Sequence, residues 1–157
     1  MDAVIRTANV ADDAELARID YESWAPVNSP SPLWERSRPF FGEQTRTSPA
    51  DVLVAQRTGI VLGYVKLRRI DDSTVRLAGL AVDRRARRAG IGQGLLSAAL
   101  AEARTRGYTR ADLKVLGSNH VALELYRRAG FVELERVPGR FVIEGRKVDD
   151  LTLAIAL

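Results

Sequence analysis

Cysteine is absent from this chain, which removes disulfides, thiolate metal sites and cysteine nucleophiles together. Histidine occurs once, as His120, so a metal site would need mostly carboxylate ligands, and no acids cluster at suitable spacing. No apolar run approaches the roughly 20 residues that cross a bilayer. The start, Met1 to Arg6, lacks the basic-then-apolar pattern of a secretory leader. These absences point to a cytoplasmic protein with no metal and no membrane partner. The 24 basic and 20 acidic residues nearly cancel, and the net charge of +4 is enough to attract phosphates but too little to define a partner.

What remains is ordinary in bulk and specific in detail. Hydrophobic residues at 46% and charged residues at 28% of 157 residues suit one domain, residues 1–157, with a sizeable core. Val4 to Arg6 reads as a first strand. Asn9 reads as a helix N-cap, followed by Asp12, Asp13 and Glu15 in a first turn where acids complement the dipole. Leu16 and Ile19 continue that helix. Pro26, Pro30, Pro32 and Pro39 break the next stretch, and a short helix is expected near Leu33 to Arg38. The aromatics Trp24, Trp34, Phe40 and Phe41 there either shape a substrate cleft or belong to a loosely ordered connector.

Asp51 to Gln56, Thr58-Gly59 and Ile60 to Ile70 read as a hairpin. Thr74 to Val82 is a further strand, apolar enough for burial on both faces. Leu95, Leu96, Ala99, Leu100 and Ala103 form a helical stripe that Gly107 ends. Ala111 to Leu116 is the next strand, and Gly130 ends a short helix before Phe131. Three more strands are expected at Phe131 to Arg136, Arg140 to Glu144 and Asp150 to Leu157. Strands gathered around one βαβ unit imply an α/β (α+β) mixed sheet, not a doubly wound one.

Two segments carry chemistry. In the first, Arg87-x-x-Gly90-x-Gly92, with Gly94 behind it, lies where the strand ending at Val82 hands over to a helix. Glycines let backbone N–H groups approach an anion, and the helix start favours phosphate there. Arg84, Arg85, Arg87 and Arg88 add positive charge. A Walker loop would need Gly-Lys before Ser or Thr, which is missing, and a dinucleotide fingerprint would need Gly or Ala where Leu95 stands. Nucleic acid is a weaker partner, because the arginines lack interleaved aromatics or a binding module. A solvated basic turn remains the plain structural reading.

In the second segment, Asn119 follows Gly117-Ser118 and reads first as a helix cap. Tyr126 lies about two turns further along nearly the same face, and alone it reads as a core aromatic with its hydroxyl at the rim. Ala122 is small enough to let a ligand chain pass. His120 reads as an exposed first-turn residue.

Together, from Leu77 to Phe131, the two segments resemble the coenzyme-binding core of the GNAT superfamily of acetyl-CoA-dependent N-acetyltransferases. Arg87, Gly90 and Gly92 match its Gln/Arg-x-x-Gly-x-Gly/Ala motif. Asn119, Ala122, Leu125-Tyr126 and Gly130-Phe131 match its later pattern. Glu144 to Leu153 resembles its closing hairpin. The resemblance implies a mostly antiparallel sheet of about seven strands flanked by about four helices. It also implies a sheet that splays between the Leu80, Ala81, Val82 strand and the Asp112 to Leu116 strand.

On that resemblance acetyl-CoA is the acyl donor and no metal takes part. Its pantetheine arm would bond the backbone of Leu80 and Val82, and an N–H near Ala81 or Val82 would polarise the thioester. Its pyrophosphate would rest on the amides of Arg87, Arg88, Ala89, Gly90, Ile91, Gly92, Gln93 and Gly94. Asn119 would hold the coenzyme arm or an ordered water, Ala122 and Tyr126 would border the coenzyme, and Tyr126 would be the general acid for the departing thiolate. The carboxylate that many relatives carry on the strand is missing from Thr74 to Val82. Glu22, Glu43 and Glu144 could act as bases directly or through water, but each reads first as an ordinary surface acid, and the base is left unassigned. The acceptor is then a primary amine, on a small molecule or a protein, attacking directly in a ternary complex. The alternative is a catalytically weak acyl-CoA-binding regulatory module of the same fold. Sheet edges leave both a monomer and a homodimer open.

Overall fold

The computed structural model describes residues 3–157. Strands β1 (Val4–Thr7), β2 (Val52–Arg57), β3 (Ile60–Arg69), β4 (Thr74–Val82), β5 (Arg110–Leu116), β6 (Val132–Ile143) and β7 (Arg146–Ala156) accompany helices α1 (Asp13–Ser23), α2 (Ile91–Thr105) and α3 (His120–Arg128). The strands form one seven-stranded sheet in the order β1-β2-β3-β4-β5-β7-β6. Every pairing is antiparallel except β4 with β5. This is the expected mixed, mostly antiparallel sheet, and three α-helices with three short 3-10 turns come close to the expected helix count.

Alternation along the strands explains why their sequences are apolar almost throughout. Successive side chains point to opposite faces, and here both faces are covered. On one face Leu53, Ala55, Val65, Leu67, Val75 and Leu77 pack against the Leu95, Leu96, Ala99, Leu100 and Ala103 stripe of α2. On the other, Val52, Val54, Tyr64 and Ala81 pack against Leu16 and Ile19 of α1 and against Phe40. Each fully buried aliphatic side chain contributes about 1.5–3 kcal/mol, so the sheet is held from both sides.

Local chemistry sets the turns. Thr58-Gly59 (φ 49° and 79°) and Glu144-Gly145 (φ 51° and 76°) are left-handed at both positions, the geometry that matches a two-residue hairpin to strand twist. Asn9 caps a 3-10 turn, Val10–Asp12, which leads into α1, and Asp12 returns a bond to the Asn9 N–H. The cap is therefore at Asn9 as expected, although the α-helix proper begins at Asp13.

Two expectations are overturned. No helix forms over Leu33 to Arg38, where only a turn closes from Arg38 N–H to Glu35 C=O. Pro32 and Pro39 bracket a segment too short to nucleate a helix, and cation–π contacts hold it instead. Arg38 lies over Trp34 at 4.0 Å and Arg36 over Tyr21 at 5.0 Å. The backbone N–H groups of Phe40 and Phe41 donate to Asp13 at 3.1 and 2.9 Å, so this stretch is an anchored wall and not a loose connector. The other correction is at the end of the chain, where two long strands replace three short ones. Pro138 sits inside β6 at an irregularity between Val137 and Phe141. A strand at the sheet edge tolerates its missing N–H, and Gly139 N–H finds Asp149 at 2.9 Å.

Candidate active site

The sheet opens where β4 meets β5. They pair only at Thr74–Arg110, Val75–Ala111 and Arg76–Asp112, while β5 stays paired with β7 through Leu116. Leu77 to Val82 and Leu113 to Leu116 therefore border a gap. The register of β3 on β4 shifts at the same place, from Leu67–Leu77 to Lys66–Gly79. Ala78 is thus the extra residue of a bulge, and bulges bend the strand that carries them. The Asp83 N–H bonds Leu62 C=O of β3 at 2.7 Å. By antiparallel alternation the backbone of Ala81 also faces β3, so that of Leu80 and Val82 faces the gap.

At the end of β4, Asp83 sets up the arginine–glycine turn. Its buried carboxylate accepts from the N–H and guanidinium of Arg85 and from Arg18 of α1 (2.8 Å). Those bonds, Arg85's first, hold its pKa well below the usual carboxylate range. Arg85, one of the four arginines expected to add positive charge at the turn, and Arg18 thereby hold Asp83, although the Arg85 side chain stays 70% exposed. Arg84, Arg87 and Arg88 remain exposed. The backbone is left-handed at Arg88 (φ 68°) and Gly90 (φ 76°), and a non-glycine residue held there is a cost that sites accept. Helix α2 starts at Ile91, and its first capping bond is Gly94 N–H to Gly90 C=O. The N–H groups of Ile91, Gly92 and Gln93 precede the helical ladder and are open to an anion. A methyl on Gly92 would stand 3.8–3.9 Å from Leu125, Val82 and Leu80, so α2, β4 and α3 converge there.

Asp83→Ala should cost about 2 kcal/mol at neutral pH, because hydrogen bonds to a charged group are lost. A depressed folded pKa contributes stability that is present above the unfolded value, about 3.9, and lost as pH falls through the folded one. The gap between wild type and variant in urea unfolding should therefore narrow in acid.

Helix α3 lies along the same opening. Asn119 caps it, its Oδ1 accepting from Ala122 N–H at 3.3 Å, so the cap reading holds and the Nδ2 donor is left over. Ala122, Leu125 and Tyr126 pack on the α2 face of the core. The Tyr126 ring meets Phe131 edge-on at 5.8 Å, as a residue following the left-handed Gly130 allows. Burial pushes the Tyr126 phenol up to about 12.

A polar group on the α1 face was not foreseen. Tyr64 donates a short hydrogen bond to Asp20 of α1, and Arg38 stands 3.8 Å from the same carboxylate. Tyr64 pairs with Ala81 across β3 and β4, which puts Asp20 above the strand that borders the gap. Burial, then Asp20, raises the Tyr64 phenol well above its ordinary value, and Tyr126 is near enough to add to the effect. The two phenols thus approach the opening from opposite faces. Lys66, lowered mainly by burial, lies over the Phe40 ring at 4.5 Å. The signal in the sequence was Tyr64, Lys66 and Arg68 at period two between Val65 and Leu67.

A family model described as the acetyltransferase (GNAT) family matches residues 14–131. The chain belongs to the GNAT acetyltransferase family. Solved structures share its fold over 98–100% of its length. Smu.2055 of Streptococcus mutans UA159 is 24% identical with a TM-score of 0.81, covering 98% of both chains. Ard1 of Thermoplasma volcanium is 22% identical with a TM-score of 0.81, covering 100% of this chain and 99% of its own. The putative acetyltransferase yncA of Salmonella typhimurium, solved with its cofactor acetyl-CoA, is 22% identical with a TM-score of 0.79, covering 100% and 95%. No curated protein matches the chain.

In this GNAT chain Leu80, Ala81, Val82, the Arg87 to Gly94 turn, Asn119, Ala122 and Tyr126 all lie on the elements around the gap. The three acids singled out in the sequence do not. Glu22 is on the exposed side of α1, held by Arg18 at 3.0 Å, Glu43 is in an exposed turn and Glu144 is at the tip of the last hairpin. His120 is exposed at the first position of α3. No helix among the described residues is long and apolar enough to cross a membrane.

Proposed function

We propose that this GNAT-family acyltransferase moves the acetyl group of acetyl-CoA to a primary amine by direct attack in a ternary complex. The observation that carries the reading is the opening between β4 and β5, with an anion-ready turn at one end and a phenol beside it. The turn from Arg87 to Gly94 offers amides and exposed arginines to a pyrophosphate, with Arg87 Nε also donating to Val82 C=O at 3.4 Å, and the Leu80 backbone and the Val82 N–H offer strand-like hydrogen bonds to an amide-bearing arm. The Val82 N–H is the donor that can polarise a thioester carbonyl, since the Ala81 backbone faces β3. Acetyl-CoA supplies the activated acyl group.

An alkyl ammonium, pKa near 10.4, must lose a proton before its nitrogen attacks. Asp20 is the carboxylate that the fold brings above Ala81, and in this reading it takes that proton directly or through a water. The amine nitrogen then bonds to the acetyl carbon, the carbon–sulfur bond breaks, Tyr126 gives its proton to the thiolate, and the second proton that the nitrogen sheds as the amide forms restores the Tyr126 phenol. A phenol held near 12 stays protonated throughout the neutral range, which suits a proton donor.

Calorimetry should detect acetyl-CoA binding, and thiol release should accelerate with at least one primary amine of a panel. Asp20→Asn is expected to bind acetyl-CoA as wild type does and to lose turnover at neutral pH about 100-fold. Tight coenzyme binding with no turnover on any amine would favour the regulatory module instead. Full activity of Asp20→Asn would remove Asp20 from the proton-accepting role.

A further inference from the structure

On the face of the sheet that carries Tyr64 and Lys66, the far side of the opening is lined by charge. Arg76 on β4 is matched by Asp112 on β5, with bonds of 2.9 and 3.1 Å. Beyond it, Lys114 on β5 and Arg140 on β6 both converge on Asp150 of β7, at 3.3 and 2.8 Å. The Asp150 side chain is only 6% exposed, whereas those of Lys114 and Arg140 are 40% and 51% exposed. One buried carboxylate thus holds two cations side by side and neutralises only one of them. Lys114 also donates to Thr152 at 3.0 Å. Arg140 bonds protein through a single nitrogen, Nη1, and keeps most of its five donors.

These cations border an open pocket of about 240 Å³ that is also lined by Asn28 and Pro30 of the α1–β2 segment and by Phe141. Ser118 Oγ donates to Val27 C=O at 3.0 Å and ties that segment over the end of β5. Val115 and Leu116 form part of the wall, and both lie beyond Asp112, the last residue of β5 paired to β4. The cavity therefore shares with the gap the end of β5 that is unpaired to β4. A larger cavity, about 390 Å³, lies between α3 and the β6–β7 hairpin, and its Arg136 is already paired with Glu133 and Asp149.

We infer that the acceptor is a small primary amine bearing a carboxylate, and that Lys114 and Arg140 bind this carboxylate while the amine points to the gap. The inference rests on the acetyl-transfer reading and names its substrate class. An unmatched charge of one suits a carboxylate better than a doubly charged phosphate. Asp150 fixes the spacing of the two cations before the ligand arrives, which lowers the cost of ordering them. The small volume fits a compact acceptor better than a folded protein surface.

The test uses amino acids paired with their decarboxylated amines, such as phenylalanine with phenethylamine and 4-aminobutyrate with propylamine, plus an aminoalkylphosphonate. Wild type should favour the carboxylate member of a pair by about tenfold or more in kcat/KM, the scale of one charge-assisted hydrogen bond. Lys114→Met and Arg140→Met should each raise KM for that member about tenfold, with kcat, acetyl-CoA affinity and turnover of the decarboxylated amine little changed. Each variant leaves Asp150 one cation, and acetyl-CoA affinity reports that the fold is intact. Equal use of both members, or equal losses on both in the variants, would overturn the inference, and preference for the phosphonate would overturn the carboxylate assignment. Failure of wild type to bind acetyl-CoA would sink the acetyl-transfer reading and this inference with it.

Discussion

Tyr126→Phe is expected to lower kcat with the best amine acceptor by about 100-fold or more, the usual scale for losing a positioned acid. The substitution removes one oxygen and leaves the ring, so the edge-on contact with Phe131 at 5.8 Å and the packing of α3 on the core should survive. The Tyr126 hydroxyl makes no hydrogen bond to protein among the described residues, so no internal partner is orphaned by its loss. Acetyl-CoA affinity should accordingly change little, and the defect should appear in single-turnover thiol release. Because burial raises the phenol to about 12, its acid form persists well above the ordinary value near 10. Wild-type kcat should thus show no loss from Tyr126 ionisation between about pH 7 and pH 10. Full activity in the variant would assign proton delivery elsewhere.

Gly63→Ala should be the most damaging single-methyl change in the sheet. A Cβ at Gly63 would lie 2.7 Å from the carbonyl oxygen of Ala81, 3.3 Å from Val82 Cα and 3.2 Å from Leu95 Cδ1. Two of these neighbours are backbone and cannot step aside, so β4 must move just where it borders the opening. Overpacking of this kind costs about 3 kcal/mol at its upper end, readable as a shifted urea midpoint. The displacement falls on Ala81 and Val82, so acetyl-CoA affinity should fall together with stability. Gly79→Ala is the control. Its nearest neighbours are the Lys66 and Tyr64 side chains at 3.7 Å, ordinary contacts that should leave stability and affinity near wild type. A Gly63→Ala protein with unchanged midpoint and affinity would show that β4 is more pliant than this packing implies.

The parts of the site that were legible in the sequence are those built from contiguous residues. Arg87, Gly90 and Gly92 announce a backbone that must turn left-handed before a helix, and the structure does so at Arg88 and Gly90. Asn119, Gly130 and Phe131 announce the start and end of α3 by their capping chemistry. The Leu95 to Ala103 stripe fixed which side of α2 is buried. Contacts between distant segments carried no such signal. Arg85 looked as available as Arg87 until Asp83 claimed it. The bulge at Ala78 leaves no mark in a run of small apolar residues. The helix expected near Leu33 to Arg38 does not form, because the pairing of Trp34 with Arg38 and of the Phe40 and Phe41 N–H groups with Asp13 of α1 is settled by packing.

The sequence alone therefore determined the Arg87 to Gly94 turn and the ends of α3, because left-handed backbone and helix caps depend on local geometry that glycine and capping residues dictate. The residues of the proposed acceptor side meet only through tertiary packing. Asp20 and Tyr64 are 44 residues apart in the chain, and Lys114, Arg140 and Asp150 come from three different strands. Their juxtaposition follows from sheet register and from which face each strand turns toward α1, and register is set by packing of the whole sheet and not by any one segment of it.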